Sequence, residues 1–174
     1  MRTRLVTLAA VLAASISPGT TAYAHGGGHD RGNRPPQGEH DPAGDPRTGH
    51  RNGRFSFTLS GTQVPGGGDP RGRGDAALLL DSQQEVLCLR SSWRELSGVV
   101  TAIHIHRAPR GQSGPHHIEV LNDERLSGSS NRVELCVQAD SSERIRQIID
   151  QPAGFYLNVH STDYPDGAMR GQLG

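Results

Sequence analysis

Histidine alternates with apolar residues in two strings of this chain, Thr101-Ala-Ile-His-Ile-His-Arg107 and Tyr156-Leu-Asn-Val-His-Ser161. An imidazole nitrogen can ligate a transition metal, or it can hydrogen-bond to a neighbouring strand and knit a sheet together. Side chains at i and i+2 of a strand leave from the same face. His104 and His106 therefore stand together, opposite Ile103 and Ile105. In the second string Phe155, Leu157 and Val159 share one face, and Tyr156, Asn158 and His160 share the other. If the two strands are neighbours, three imidazoles converge on one outward-facing patch. Read as a metal site, the patch gains a fourth donor from the pair His116-His117, with His117 the expected ligand. Read as structure, the same histidines bond to backbone and to Asp163 or Asn158.

The surrounding sequence supplies strands to carry these residues. Short apolar runs are separated by Gly, Pro, Asp and Ser, a pattern of strands and turns. Phe55, Phe57 and Leu59 alternate in the first, and further runs fall at 76–80, 85–91, 99–106, 117–121, 131–138, 154–160 and 168–173. A Gly- and Pro-rich loop occupies 63–74. Ser142 to Asp150 is the one helical candidate, with Ser142 as N-cap and Ile145, Ile148 and Ile149 as its buried stripe. Strands at this spacing with one short helix predict an all-β fold, an antiparallel Greek-key-like sandwich or barrel, the immunoglobulin-like sandwich being one such type. Tyr164-Pro-Asp-Gly167 is a tight-turn signal that folds the last strand back beside His160 and brings Arg170 near it.

The front of the chain points to export. A basic start (Arg2, Arg4), an apolar run from Leu5 to Ile16, and small residues at Ala22 and Ala24 predict a signal peptide over residues 1–24. No later stretch is long and apolar enough to span a bilayer, so the mature protein has no membrane span. Residues 25–53 carry Gly, Pro, charge and four histidines (His25, His29, His40, His50), with almost nothing apolar. Such a segment cannot offset the entropy of ordering and is expected as a disordered tail that binds metal loosely or serves as a spacer. The folded domain is expected over 54–174. Cys88 and Cys136 in an exported chain suggest a disulfide, with free thiols or thiolate ligands as the alternative. A bridge between them would contribute about 3–4 kcal/mol by the chain-entropy estimate. The formal net charge is +0 and every cation is arginine, with no basic stripe to suit nucleic acid.

The string Ala102-Ile-His-Ile-His-Arg-Ala108, the turn Gly111-Gln-Ser-Gly-Pro115 and the ending Tyr156 to Leu173 resemble the CHRD domain, a module first described as repeats in chordin and found alone in many exported bacterial proteins. The resemblance runs over essentially all of 54–173, and cysteines near Cys88 and Cys136 fit its bacterial pattern. Ser161 stands where threonine is more common, and His116 and His117 where apolar residues are. The family implies an extracellular binding or matrix module with an unknown protein partner. A second, fold-level similarity is to copper–zinc superoxide dismutase, which has a His-x-His strand, a later histidine and an arginine near the copper.

That analogy implies a secreted or cell-envelope copper protein, with copper favoured over zinc and superoxide as a substrate. Metal ligands would be His104, His106, His160 and His117. Arg170, always protonated, would be the catalytic group that draws in a small anion, unless it pairs with Asp163 or Asp166. Asn158, Asp163 and Tyr164 are the candidates for orienting the imidazoles.

Overall fold

The alternating runs form β1 (Asn52–Ser60), β2 (Arg73–Asp81), β3 (Val86–Arg94), β4 (Val100–Arg107), β5 (His116–Leu121), β6 (Asn131–Gln138), β7 (Phe155–Ser161) and β8 (Met169–Gln172), with α1 at Ser142–Asp150. The structure, a computed structural model, describes residues 51–122, 125–129 and 131–174. The expected signal peptide, and the expected tail as far as His50, lie outside the described residues. The tail's last residues belong to the domain: Asn52 and Gly53 pair with Asp81 and Leu80, and Arg51 bonds to Asp150 at 2.9 Å.

All eight strands pair antiparallel in one sheet of order β5-β4-β7-β8-β1-β2-β3-β6. The sheet curls until its edge strands, β5 and β6, touch without forming a ladder. With those edges side by side, β3-β6-β5-β4 is a Greek-key order. The fold is therefore the expected all-β, near-barrel architecture with one short helix.

The inward face carries the core. Leu78 and Leu80 of β2, Leu87 and Leu89 of β3, Ile103 and Ile105 of β4, and Leu157 and Val159 of β7 are all buried. Each such side chain contributes about 1.5–3 kcal/mol by leaving water. Ile145 and Ile148 of α1 join the same core, and Ile149 packs partly buried against it. The N-cap differs from expectation by one residue: Ser141, not Ser142, has extended backbone and accepts the Arg144 amide. Ser142 has already entered the helix.

Cys88 and Cys136 sit opposite each other in the β3–β6 register and form a disulfide that spans 48 residues of sequence. It ties the edge strand β6 to its only ladder neighbour.

Strands β7 and β8 depart from simple in–out alternation, because nearly every residue in them is buried. Their outer face lies beneath three connections: 61–72 between β1 and β2, 108–115 between β4 and β5, and 162–168 between β7 and β8. Asp69 pins the first of these. Its carboxylate accepts the Ser97 amide at 2.6 Å and the Arg71 amide at 3.0 Å, and its own amide donates to the Ala168 carbonyl at 2.9 Å. Burial alone would raise the Asp69 pKa, but these backbone donors hold it below the usual carboxylate value.

Candidate metal centre

Strand register places the imidazoles. In the β4–β7 ladder Ala102 faces His160, His104 faces Asn158 and His106 faces Tyr156, so the three histidines share the outer face of the barrel. One ligand atom from each of His104, His106 and His160 falls within 4.8 Å of the others. The patch is not open to solvent as its alternation suggested. His104 and His106 are each 6% exposed and His160 is half-buried, because the three connections close over them. A cavity of about 430 Å³ lies beside the cluster, lined by Pro65, Gly114, Pro165 and the rings of His106, His116 and His160.

Hydrogen bonds fix which nitrogens face that space. His106 Nδ1 lies 2.9 Å from the Gly114 carbonyl, and His160 Nδ1 lies 2.8 Å from the Pro165 carbonyl. A carbonyl oxygen can only accept, so each Nδ1 carries the proton and each Nε2 presents a lone pair. The Nε2 of His160 receives the Asn158 side-chain amide at 3.3 Å. The Nε2 of His106 and both ring nitrogens of His104 are buried without a hydrogen-bond partner. Buried polar atoms are almost always satisfied, so orphaned nitrogens on two adjacent rings, each able to turn one of them to a common ion, need a reason. A coordinated cation supplies one, and the donor set fits it.

The rings are also held in the ligating protonation state. Burial lowers the His104 pKa to about 3, helped by the neighbouring His116, His160 and His106. Burial likewise lowers His106 and His160, against the opposing pull of their carbonyl partners. Neutral imidazole is the form that binds a metal.

His117, the expected fourth ligand, points elsewhere. Its Nε2 bonds the Arg144 carbonyl at 3.0 Å, its ring packs on Phe155 at 4.7 Å, and its own carbonyl receives the Arg144 guanidinium. It fastens β5 to α1. The odd-numbered position took the inner side because the β4–β5 ladder shifts register between Ile103 and His104 and again between Ile105 and His106. His116 occupies the cluster instead, with its ring centroid 4.1 Å from that of His104 and 4.5 Å from that of His106.

Arg170 is almost wholly buried, and among the described residues no carboxylate pairs with it. Its guanidinium donates to the carbonyls of Gln112 at 2.6 Å and Pro109 at 2.9 Å and to Gln172 Oε1 at 2.7 Å. It also lies 3.5 Å from the centre of the Tyr156 ring, on whose strand-mate side His106 stacks at 5.0 Å. Burial lowers its pKa, but an arginine remains charged. Asp163 accepts the Thr162 hydroxyl at 3.2 Å, and its carboxylate does not reach His160. Of the three candidates for orienting imidazoles, Asn158 does so directly.

The orienting groups missed by side-chain reasoning are main-chain atoms. Gly114 offers its carbonyl to His106 and its amide to the Tyr156 hydroxyl at 3.2 Å. A Cβ at Gly114 would lie 2.0 Å from the Arg107 carbonyl oxygen, so only glycine fits. Gly167, at φ +142°, presses against the Asn158 amide and closes the Tyr164-Pro165-Asp166 turn with a 3.2 Å bond to the Tyr164 carbonyl. The signal for both was present as turn chemistry in Gly111-Gln-Ser-Gly-Pro115 and Tyr164-Pro-Asp-Gly167.

The CHRD domain matches residues 55–173, and the chain belongs to that family. No curated protein and no solved structure matches it. The disulfide fits an oxidising environment, and among the described residues no helix is long and apolar enough to cross a membrane.

Proposed function

We propose that this chain is an exported copper-binding protein, secreted or held in the cell envelope, whose ion is bound by His104, His106 and His160. The observation that carries the reading is that one ligand nitrogen from each of His104, His106 and His160 lies within 4.8 Å of the others, those of His104 and His106 being buried without a hydrogen-bond partner. Imidazoles without thiolate or carboxylate donors suit Cu(II), which also stands highest among the divalent first-row ions in affinity for such sites. Copper is therefore favoured over zinc. Bound there, copper would supply one-electron chemistry, with superoxide the substrate that the analogy to superoxide dismutase suggests.

The chain's own residues set up the site. The Gly114 and Pro165 carbonyls hold two tautomers, and the Asn158 amide occupies the His160 Nε2 lone pair, which an ion would take over on binding. Arg170 receives a positioning role in place of the catalytic one. Its guanidinium gathers two carbonyls of the 108–115 connection, and so fixes the segment that presents Gly114. Its unpaired charge beside His106 also disfavours protonation of that ring.

The test is calorimetric titration of the signal-cleaved, oxidised protein with Cu(II) and with Zn(II), counting bound metal afterwards, beside a His104→Ala/His106→Ala variant. One tight copper equivalent that disappears in the variant is expected. No tight site in the parent protein would return the histidines to strand-knitting and leave an extracellular binding module.

A further inference from the structure

We infer that His116 is the exchangeable, solvent-side ligand of this centre, the group through which copper enters and leaves; the inference rests on the copper reading above. The four clustered rings are not equivalent. His104 and His106 are sealed in, His160 is half-buried and bonded through both nitrogens, and His116 alone is exposed. The His116 ring lies across His104, with centroids 4.1 Å apart, on the side away from the barrel core. The same ring lines the cavity beside His106 and His160.

The backbone under His116 suits movement. Among the described residues β5 is an edge strand with β4 as its ladder partner, and that ladder shifts register between Ile103 and His104 and between Ile105 and His106. The ring of His116 makes contacts with His104 and His106 but carries no backbone hydrogen bond of the kind that fixes His106 and His160. Rotation about its χ angles brings a nitrogen over the cluster or takes it into solvent. Neither motion breaks a buried hydrogen bond. Exchange at a metal proceeds most easily where an incoming donor displaces the least constrained ligand. His116 is that ligand, and the partners that could displace it are copper carriers offering imidazole or thiolate donors, or small aminocarboxylate chelators.

The experiment loads the full signal-cleaved chain with one Cu(II) and follows transfer to EDTA by stopped-flow absorbance, for the parent protein, His104→Ala, His116→Ala and His117→Ala. The tail histidines are common to all four. His116→Ala should retain one bound copper and release it about 10- to 100-fold faster, the scale seen when a supporting group at a metal is lost. His117→Ala should release copper like the parent. Unchanged or slower release from His116→Ala overturns the inference, and so does loss of stoichiometric binding, which would make His116 a core ligand. A parent protein that binds no copper removes the copper reading and this inference together. Copper bound by the parent and lost in His104→Ala, with unchanged release from His116→Ala, removes the inference alone.

Discussion

Replacing His104 with leucine separates a metal ligand from a strand-knitting histidine, because the two roles predict opposite changes in the metal-free protein. The neutral ring buries one N–H and one lone pair, and neither has a partner. Leaving such a group unsatisfied costs about 1–3 kcal/mol. Leucine fills a similar space without polar atoms, so metal-free His104→Leu should be more stable than the parent by about 1–3 kcal/mol. For a domain of this size that raises Tm by roughly 4 °C per kcal/mol. Copper reverses the order. At a free concentration of about 100 times Kd it stabilises the parent by roughly 2.7 kcal/mol, and a variant without the site gains none of this.

Differential scanning calorimetry of both proteins, with chelator and with copper, reads the two differences directly. The expected outcome is a crossing: the variant melts higher with chelator, and the parent melts higher, or level, with copper. A metal-free variant that melts well below the parent would show that His104 makes favourable contacts in the apo protein, and the argument from orphaned nitrogens would fail.

Acid should destabilise the metal-free domain in a defined window. His104, His106, His117 and His160 all have pKa values lowered below 6.5 in the folded state, so the unfolded chain binds more protons as pH falls. Stability is then complete above about pH 6.5 and declines as pH falls toward about 3, the His104 value, by up to about 1.4 kcal/mol per pH unit for each group titrating. Urea unfolding at a series of pH values checks this, and His104→Leu should show a shallower slope. Gly114→Ala forces a methyl onto the Arg107 carbonyl and displaces the carbonyl that holds His106. It should cost about 1–3 kcal/mol of stability. Its copper affinity should fall about 10- to 100-fold, and calorimetry showing parent-like affinity would mean that the Gly114 carbonyl is not needed to aim the ring.

Alternation made the barrel legible before any coordinates. Every strand run in the sequence appears in the structure, and β6 carries the expected bounds of Asn131 to Gln138. The pairing of faces on β4 and β7 was legible for the same reason, since the side-chain period of a strand is fixed at two. What could not be read was cover. Tyr156, Asn158 and Arg170 look like an exposed polar face in one dimension, and all three are buried because loops distant in sequence lie over them. His116 and His117 were separable only by the register shifts in the β4–β5 ladder, which depend on how two strands meet. The acceptors of Arg170 and of both oriented histidines are main-chain carbonyls, which no residue type announces.

The use of carbonyls in place of carboxylates has an electrostatic consequence. An acidic partner on His106 or His160 would favour the imidazolium, whereas a carbonyl fixes the same tautomer with far less pull toward protonation. Arg170 works in the same direction. Satisfied by neutral oxygens, it keeps a full positive charge within a strand's width of the cluster. That charge makes any cation at the same point, proton or metal ion, more costly. Rings held in their neutral form are the state this arrangement favours. The inner face of β4 and β7 stabilises the barrel with Ile103, Ile105, Leu157 and Val159. The outer face of the same two strands is thereby free to hold polar groups, among them ring nitrogens of His104 and His106 with no hydrogen-bond partner.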